Sequence, residues 1–364
     1  MSVKKKYLIV GQGLAGSILA LKMKERDISF DIVDNGWKSS SSTVAVGIMH
    51  CMSFKRLILA WKAPELIKYA SSFYEDLETK WNLSFYDHIP FYRPIASADE
   101  YKIWEQRVND EEYKDHLYLH SKFDLGGINC EHGVGEIKGG GRLKVAHFLK
   151  NAKETLLPHY VKGVFKYSDL ESNESNISFN GNTYSDIIFS EGHQFVNNPY
   201  FNYLPHNCTK GEVISIEASG LNQKWVSRGC FLLPHSDNKD LYSVGSTYRW
   251  HTFDASTTEE GKDELIKKVE KLGAVQVKKV VEHKGGIRPT INDRRPLLGT
   301  HPIFKNIHLF NGMGSKAVMI APYYADQFVN YLSGEVNLDS EVDIYRWKKQ
   351  QKLKFGFHEA EKMS

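Results

Sequence analysis

The chain has 364 residues, 41% of them hydrophobic and 25% charged, which is enough to bury a large core and favours two domains. A net charge of +3, with basic and acidic residues interleaved, is too slight to imply a nucleic-acid partner. The four cysteines form no Cys-x-x-Cys pair, which argues against zinc and disulfide frameworks, and no apolar run is long enough for a transmembrane helix, so a cytoplasmic, membrane-free protein is expected.

The first elements carry the most information. A short apolar strand over 7–10 runs into Gly11-x-Gly13-x-x-Gly16, and a helical pattern follows over 17–24. Gly11 permits a tight turn, Gly13 allows close approach of a pyrophosphate, and Gly16 removes the side chain that would hold helix and strand apart. The helix N-terminus then offers amides and a partial positive charge to phosphate. A second strand, Phe30-Asp31-Ile32-Val33-Asp34, ends in an acid about twenty residues past the glycines, placed to accept from a ribose hydroxyl. Strand, triplet, helix and acid occur in the order of an adenine-dinucleotide site. Which dinucleotide binds is left open by these residues.

A contiguous nicotinamide domain would continue with alternating strands and helices. Instead come a polar run over 39–43, the stretch Val44-Ala45-Val46-Gly47-Ile48-Met49, and an amphipathic helix over 63–81. Aromatic-rich strands are expected from 85 to 92. Gly139-Gly140-Gly141-Arg142 before a helix over 143–154 then reads as the nucleotide domain resuming, followed by short strands over 160–161, 163–165, 177–179 and 186–190, the last running into Gly192. Residues 211–282 read as strands plus one helix over 259–272. The expected architecture is therefore α/β, a doubly wound sheet interrupted by a smaller domain. Its segments are 1–84, 135–210 and 283–364 for nucleotide binding and 85–134 with 211–282 for substrate.

Near the C-terminus, Arg288-Pro289 lies in a glycine-flanked loop, and a strand over 307–310 meets Asn311-Gly312-Met313-Gly314-Ser315-Lys316 before a helix over 317–332. This second glycine turn lacks pyrophosphate spacing. Its helix N-terminus suits a place where negative charge forms transiently, such as the pyrimidine edge of a reduced flavin. No histidine cluster has metal-ligand spacing, and no nucleophile has a partnered base.

The order of these motifs resembles the flavin-dependent amine oxidases typified by D-amino-acid oxidase, glycine oxidase and sarcosine oxidase. The marks are Gly11-x-Gly13-x-x-Gly16, Ser42-Thr43-x-Ala45-x-Gly47, the strand ending at Gly192, Gly245-Ser246-Thr247, Arg288-Pro289-x-x-x-Asp293-Arg294-x-Pro296-x-x-Gly299 and Gly312-x-Gly314-Ser315. The resemblance implies a Rossmann-type FAD-binding domain of the GR2-like, glutathione-reductase type. A smaller α+β substrate domain with an antiparallel sheet would interrupt it. It also implies FAD in an extended pose. Gly11, Gly13, Leu14, Ala15 and Gly16 would serve the pyrophosphate, and Asp34 the ribose. Ser42, Thr43 and Gly47 would lie along the phosphates and the flavin. Val164 and Phe165 would form the adenine pocket, with Gly192 near the cofactor. Gly312, Met313, Gly314, Ser315 and Lys316 would cover the pyrimidine edge.

The resemblance further implies that Arg288 anchors a substrate carboxylate, so that a small amine or amino acid is oxidised by hydride transfer to flavin N5. The competing use of Arg288 is an ion pair with Asp293 or Glu282 that staples the loop. Lys316 could add positive charge beside the flavin, and His50 could contact substrate, although each also suits a purely structural position. A 2-hydroxy acid, or a modified tRNA base, is the alternative substrate. A nicotinamide-binding or non-catalytic protein on the same fold is the competing class. Oligomeric state is left open.

Overall fold

A computed structural model describes residues 5–36, 40–54, 56–172, 176–235 and 238–355. Ser39, at the start of the expected polar run, and Lys55, after His50, lie outside them. The chain divides into two compact units, one of residues 1–45, 145–209 and 287–364, the other of 46–144 and 210–286.

The first unit is built on a five-stranded sheet in the order Ser29–Val33, Lys6–Val10, Asp186–Phe189, Ile307–Asn311, Leu297–Thr300. The first four strands are parallel, with Val10 opposite Phe189 and Phe189 opposite Leu309, and Leu297–Thr300 closes the edge antiparallel. Asp186–Phe189 and Ile307–Asn311 are buried at every position, as expected of parallel strands covered on both faces. Helix Leu14–Glu25 packs on both Val145–Leu156 and Ala317–Leu332. Its buried residues, Leu14 to Leu21 nearly without interruption, explain why it reads as apolar all round rather than as a stripe. A three-stranded meander, Glu171–Ser172, Ile177–Phe179 and Asn182–Tyr184, completes this unit.

The second unit holds a nine-stranded, mostly antiparallel sheet with Thr209–Ser219, Leu241–Gly245 and Cys230–Pro234 at its centre. Helix Glu259–Glu270 lays Leu265 and Val269 into the core on that sheet.

Several sequence expectations need correction. The boundaries expected at 84 and 135 fall inside the second unit. Helix Ala63–Trp81 packs on Tyr86–His88, where the Ser71 and Tyr86 hydroxyls lie 2.7 Å apart. Strand Gly141–Leu143 pairs with both Ile48–Met49 and Tyr86–His88. Residues 139–142 are thus not a nucleotide-domain turn. Gly141 is required because an added Cβ would overlap the Tyr86 ring. The strands expected at 160–161 and 163–165 are absent. Tyr160 makes a single bridge to Ile32, and Phe165 is held by a side chain instead of a ladder. Helix Ala98–Val108, not anticipated, starts at a Ser97 cap that accepts from the Glu100 amide at 3.2 Å, while Glu100 reaches back to the Ala96 amide at 2.7 Å.

Candidate functional site

At the carboxyl ends of the parallel strands, the first glycine turn is fixed by backbone contact. Gly11 has φ +104° and donates to Val33 O at 2.8 Å, and an added Cβ would run into Ser190 O. A Cβ on Gly16 would overlap Gly11 O, so the helix lies directly on the turn. The amides opening helix Leu14–Glu25 have no acceptor within the helix. Leu14 N–H is met by Ser42 Oγ at 3.0 Å, and Gly13, the N-cap, supplies no side chain for the others. Asp34 accepts from the Gln12 amide at 2.5 Å and from the Gly36 amide at 2.6 Å, one on each carboxylate oxygen. It therefore joins the end of the second strand to the glycine turn and keeps further lone pairs for a hydroxyl.

The second glycine turn stands at the same end of the sheet. With strands about 4.8 Å apart and one strand between Lys6–Val10 and Ile307–Asn311, the two turns are roughly 10 Å apart. Gly312 has φ +76°; its amide donates to Asn311 Oδ1 at 2.8 Å, and Asn311 Nδ2 donates to Gly192 O at 3.0 Å. Gly192 is thereby tied to this turn. Met313 is buried, Ser315 exposed, and Lys316 half-buried at the N-cap of helix Ala317–Leu332, which has no side-chain cap.

Arg288 joins the two turns. Its neighbour Ile287 forms a parallel bridge with Ser40, at the start of the Ser41–Thr43 turn, and Pro289 O accepts from Gly314 N–H at 3.2 Å. Ser42 in turn lies against Gly13, where an added Cβ would sit 3.2 Å from Ser42 Oγ. Residues 11–16, 40–43, 288–290 and 312–316 thus form one continuous patch. Of the two carboxylates weighed against Arg288 in the sequence, Asp293 pairs with Arg346 at 2.9 Å and Glu282 with Lys284 at 2.6 Å.

The remaining candidates are placed as follows. Asn35 brackets Phe165, its Nδ2 donating to Phe165 O at 2.9 Å and its Oδ1 accepting from Phe165 N–H at 2.7 Å. That occupies the backbone of Phe165 and leaves the adjacent Val164, 62% exposed, to present its own. Gly47 and His50 belong to the second unit. Gly47 accepts from Leu143 N–H at 2.9 Å, and the His50 ring packs 4.7 Å from Phe54 and 5.5 Å from Phe91. Thr43 Oγ1 donates to Ser40 O at 2.8 Å, a bond within its own turn.

Sequence reasoning missed Asn35, Asn311 and Glu191. Asn35 follows Asp34 directly and Asn311 precedes the second glycine turn, so position alone could have flagged both. Glu191 had no such signal. Its carboxyl accepts from Tyr167 Oη at 2.6 Å and Asn198 Nδ2 at 2.8 Å, and burial pushes it up to about 7 despite both bonds.

These residues fit a bound dinucleotide on three counts. Gly11 and Gly16 let strand, turn and helix close directly on one another, as a pyrophosphate-binding turn requires, and the helix-opening amides lack acceptors within the helix. Ser190 Oγ, buried beside Gly16, also has no hydrogen-bond partner among the described residues. Among those residues no group of His, Cys, Asp and Glu could hold a metal ion, and no helix is long and apolar enough to cross a membrane.

Comparison with known proteins gives the family and the fold. The DAO family model, described as FAD dependent oxidoreductase, matches residues 6–330. The fold is similar to iminodiacetate oxidase (IdaA) from Chelativorans sp. BNC1, with a TM-score of 0.76 and 16% identity over 92% of this chain and 98% of that one. Glycine oxidase from Bacillus cereus ATCC 14579 gives a TM-score of 0.74 at 16% identity, covering 92% and 96%. In sequence, the tRNA 5-methylaminomethyl-2-thiouridine biosynthesis bifunctional protein MnmC of Idiomarina loihiensis is 21% identical over 355 residues, 92% of this chain. The chain spans about half the length of that curated relative, 56% of it.

Proposed function

From the premise that this chain belongs to the DAO family of FAD-dependent oxidoreductases, we propose that it oxidises an amine carrying an N-carboxymethyl group, N–CH2–COO⁻, at the C–H beside nitrogen. The single observation that carries this reading is the position of Arg288, between Ile287, bridged to Ser40 beside the Ser41–Thr43 turn, and Pro289, bonded to Gly314 of the second glycine turn. Glycine and iminodiacetate, named for the two structural relatives, share the N–CH2–COO⁻ unit.

FAD, when bound, supplies a two-electron acceptor for the hydride. In this reading Gly11, Gly13, Leu14, Ala15 and Gly16 hold the pyrophosphate on the helix N-terminus, Asp34 the ribose, and Val164 the adenine edge through its backbone. Gly312 to Lys316 would hold the pyrimidine edge, and the helix N-terminus with the Lys316 charge would supply positive potential there. The Arg288 guanidinium grips the carboxylate bidentately, which fixes the α-carbon and restricts the substrate to one orientation. A partly desolvated pocket favours the neutral amine, so no strong protein base is needed.

The test is anaerobic mixing of the holoprotein with glycine, N-substituted glycines, other amino acids and the corresponding 2-hydroxy acids. Bleaching of the flavin by N-carboxymethyl amines but not by their decarboxylated analogues is expected. Bleaching by hydroxy acids alone, or by none of the panel, overturns the reading. The name of the MnmC relative, which speaks of tRNA 5-methylaminomethyl-2-thiouridine biosynthesis, favours one second substrate, an amine carried on a tRNA base. Activity on RNA that falls steeply with added salt, without activity on free amines, would select it.

A further inference from the structure

The mechanism above makes no use of Glu191, the acid that follows strand Asp186–Phe189. An added Cβ on Gly11 would come within 3.3 Å of Glu191 Cα, so the backbone of this residue abuts the first glycine turn. Its carboxyl is held by two donors. Tyr167 donates to it at 2.6 Å, and the Tyr167 ring lies 5.5 Å from that of Phe165, the residue bracketed by Asn35. Asn198, fully buried, donates at 2.8 Å to the second oxygen. Glu191 thus ties the segment after Val164 to the Gly11 turn.

We propose that Glu191 is a positioning residue for the cofactor and takes up a proton when FAD binds, so that FAD is held more tightly at acid than at alkaline pH. This rests on the placement of the pyrophosphate at the Gly11 turn. The titratable groups around Glu191 are Tyr167, on the turn after 165, and the buried His193, two residues on. Asp34 holds the opposite side of the glycine turn through the Gln12 amide. Burial holds Tyr167 above its ordinary range and His193 below its own, so both stay neutral near pH 7. Among the described residues no Lys, Arg or His forms an ion pair with Glu191. Its charge is therefore uncompensated when ionised, and a pyrophosphate brought to the Gly11 turn adds like charge.

The sign follows from linkage. Below pH 7 the carboxyl already carries its proton in the free protein, and binding is unopposed. Above that pH a proton must be taken up with FAD, and affinity falls until the raised value in the complex is passed. One pK unit of displacement is a tenfold change in dissociation constant.

The full chain, freed of flavin, is titrated with FAD by quenching of flavin fluorescence between about pH 5.5 and 8.5 at constant ionic strength. The dissociation constant of the unsubstituted protein should rise roughly three- to tenfold across that range. Glu191→Gln should give a flat profile at the acid-side affinity. Tyr167→Phe, which removes a donor favouring the ionised form, should move the break to higher pH and provides the test if Glu191→Gln does not fold. A flat profile in the unsubstituted protein, or an unchanged slope in Glu191→Gln, overturns the proton link. A folded Gly11→Val variant that binds FAD normally overturns the pyrophosphate placement instead.

Discussion

The two ends of the parallel sheet in the first unit treat buried polar groups in opposite ways. At the amino end, Asp186 and His308 are each at most 4% exposed, and every polar atom is answered. His308 Nε2 meets Asp186 Oδ1 at 2.9 Å, its Nδ1 meets Thr300 Oγ1 at 2.9 Å, and Thr300 Oγ1 lies 2.8 Å from Tyr331 Oη. This Asp–His–hydroxyl relay has the layout of a nucleophilic triad, but it is enclosed and already satisfied. At the carboxyl end, the helix-opening amides have no acceptor within the helix, Ser190 Oγ has no partner among the described residues, and the Glu191 carboxyl has donors but, among those residues, no cation. A closed network stabilises a fold, while an incomplete one marks the place where a ligand completes it.

The largest effect expected from this contrast is at the closed end. Asp186→Ala leaves His308 buried without its carboxylate and should cost about 3–5 kcal/mol in chemical denaturation. The flavin content of the molecules that do fold should not change. Loss of FAD without loss of stability would place Asp186 in the site and erase the distinction. Next is Arg288→Ala at the open end. Losing a charge-assisted bidentate contact should lower kcat/KM for N-carboxymethyl amines by roughly 10²–10³-fold, with FAD affinity within about twofold of the unsubstituted protein. Equal activity in the variant removes the anchoring role.

The third test uses pH. His301 is completely buried, its Nδ1 accepting from the Ile303 and Phe304 amides at 3.1 Å, and burial pushes it down to about 4. The unfolded chain takes the proton near pH 6.5, so stability is full above that value and is lost as pH falls toward 4. By pH 5 the loss from this residue is about 2 kcal/mol. Urea midpoints measured from pH 7 to 5 should fall accordingly, and a His301→Asn variant, weaker throughout, should show a flatter decline. A parallel decline in the two proteins would assign the pH dependence to other groups.

How much of this was legible in the sequence depended on range. Gly11, Gly13, Gly16 and Asp34 lie within one strand–turn–helix–strand unit, and their spacing alone foretold that local geometry. Helix Ala63–Trp81 announced itself by periodicity over 19 residues. What escaped was set by partners distant in the chain. Residues 46–84 could not be assigned to a unit without knowing that Gly141–Leu143 pairs with Ile48–Met49. The segment at 163–165 looked like a strand because Val164 and Phe165 favour one, yet tertiary bonds from Asn35, 130 residues earlier, decide its course. Glu191 offered nothing to read, since only the fold brings Tyr167 and Asn198 to it.

The smallest effects make the sharpest test of the contrast, because two substitutions of similar local cost should separate. Thr300→Val removes the hydroxyl between His308 and Tyr331, and Asn35→Ala removes both bonds to the Phe165 backbone. Each loses a pair of hydrogen bonds worth about 1 kcal/mol apiece, so each should lower stability by roughly 1–2 kcal/mol. Their effects on the ligand should differ. In Thr300→Val the loss is confined to a network that touches no part of the cradle, and FAD affinity should be unchanged. In Asn35→Ala the segment carrying Val164 is released, and ordering it again on binding should weaken FAD several-fold. Titrating both variants with FAD alongside urea denaturation reads the two quantities independently. Equal loss of FAD affinity in both would mean that the whole sheet, rather than its open end, governs the cofactor.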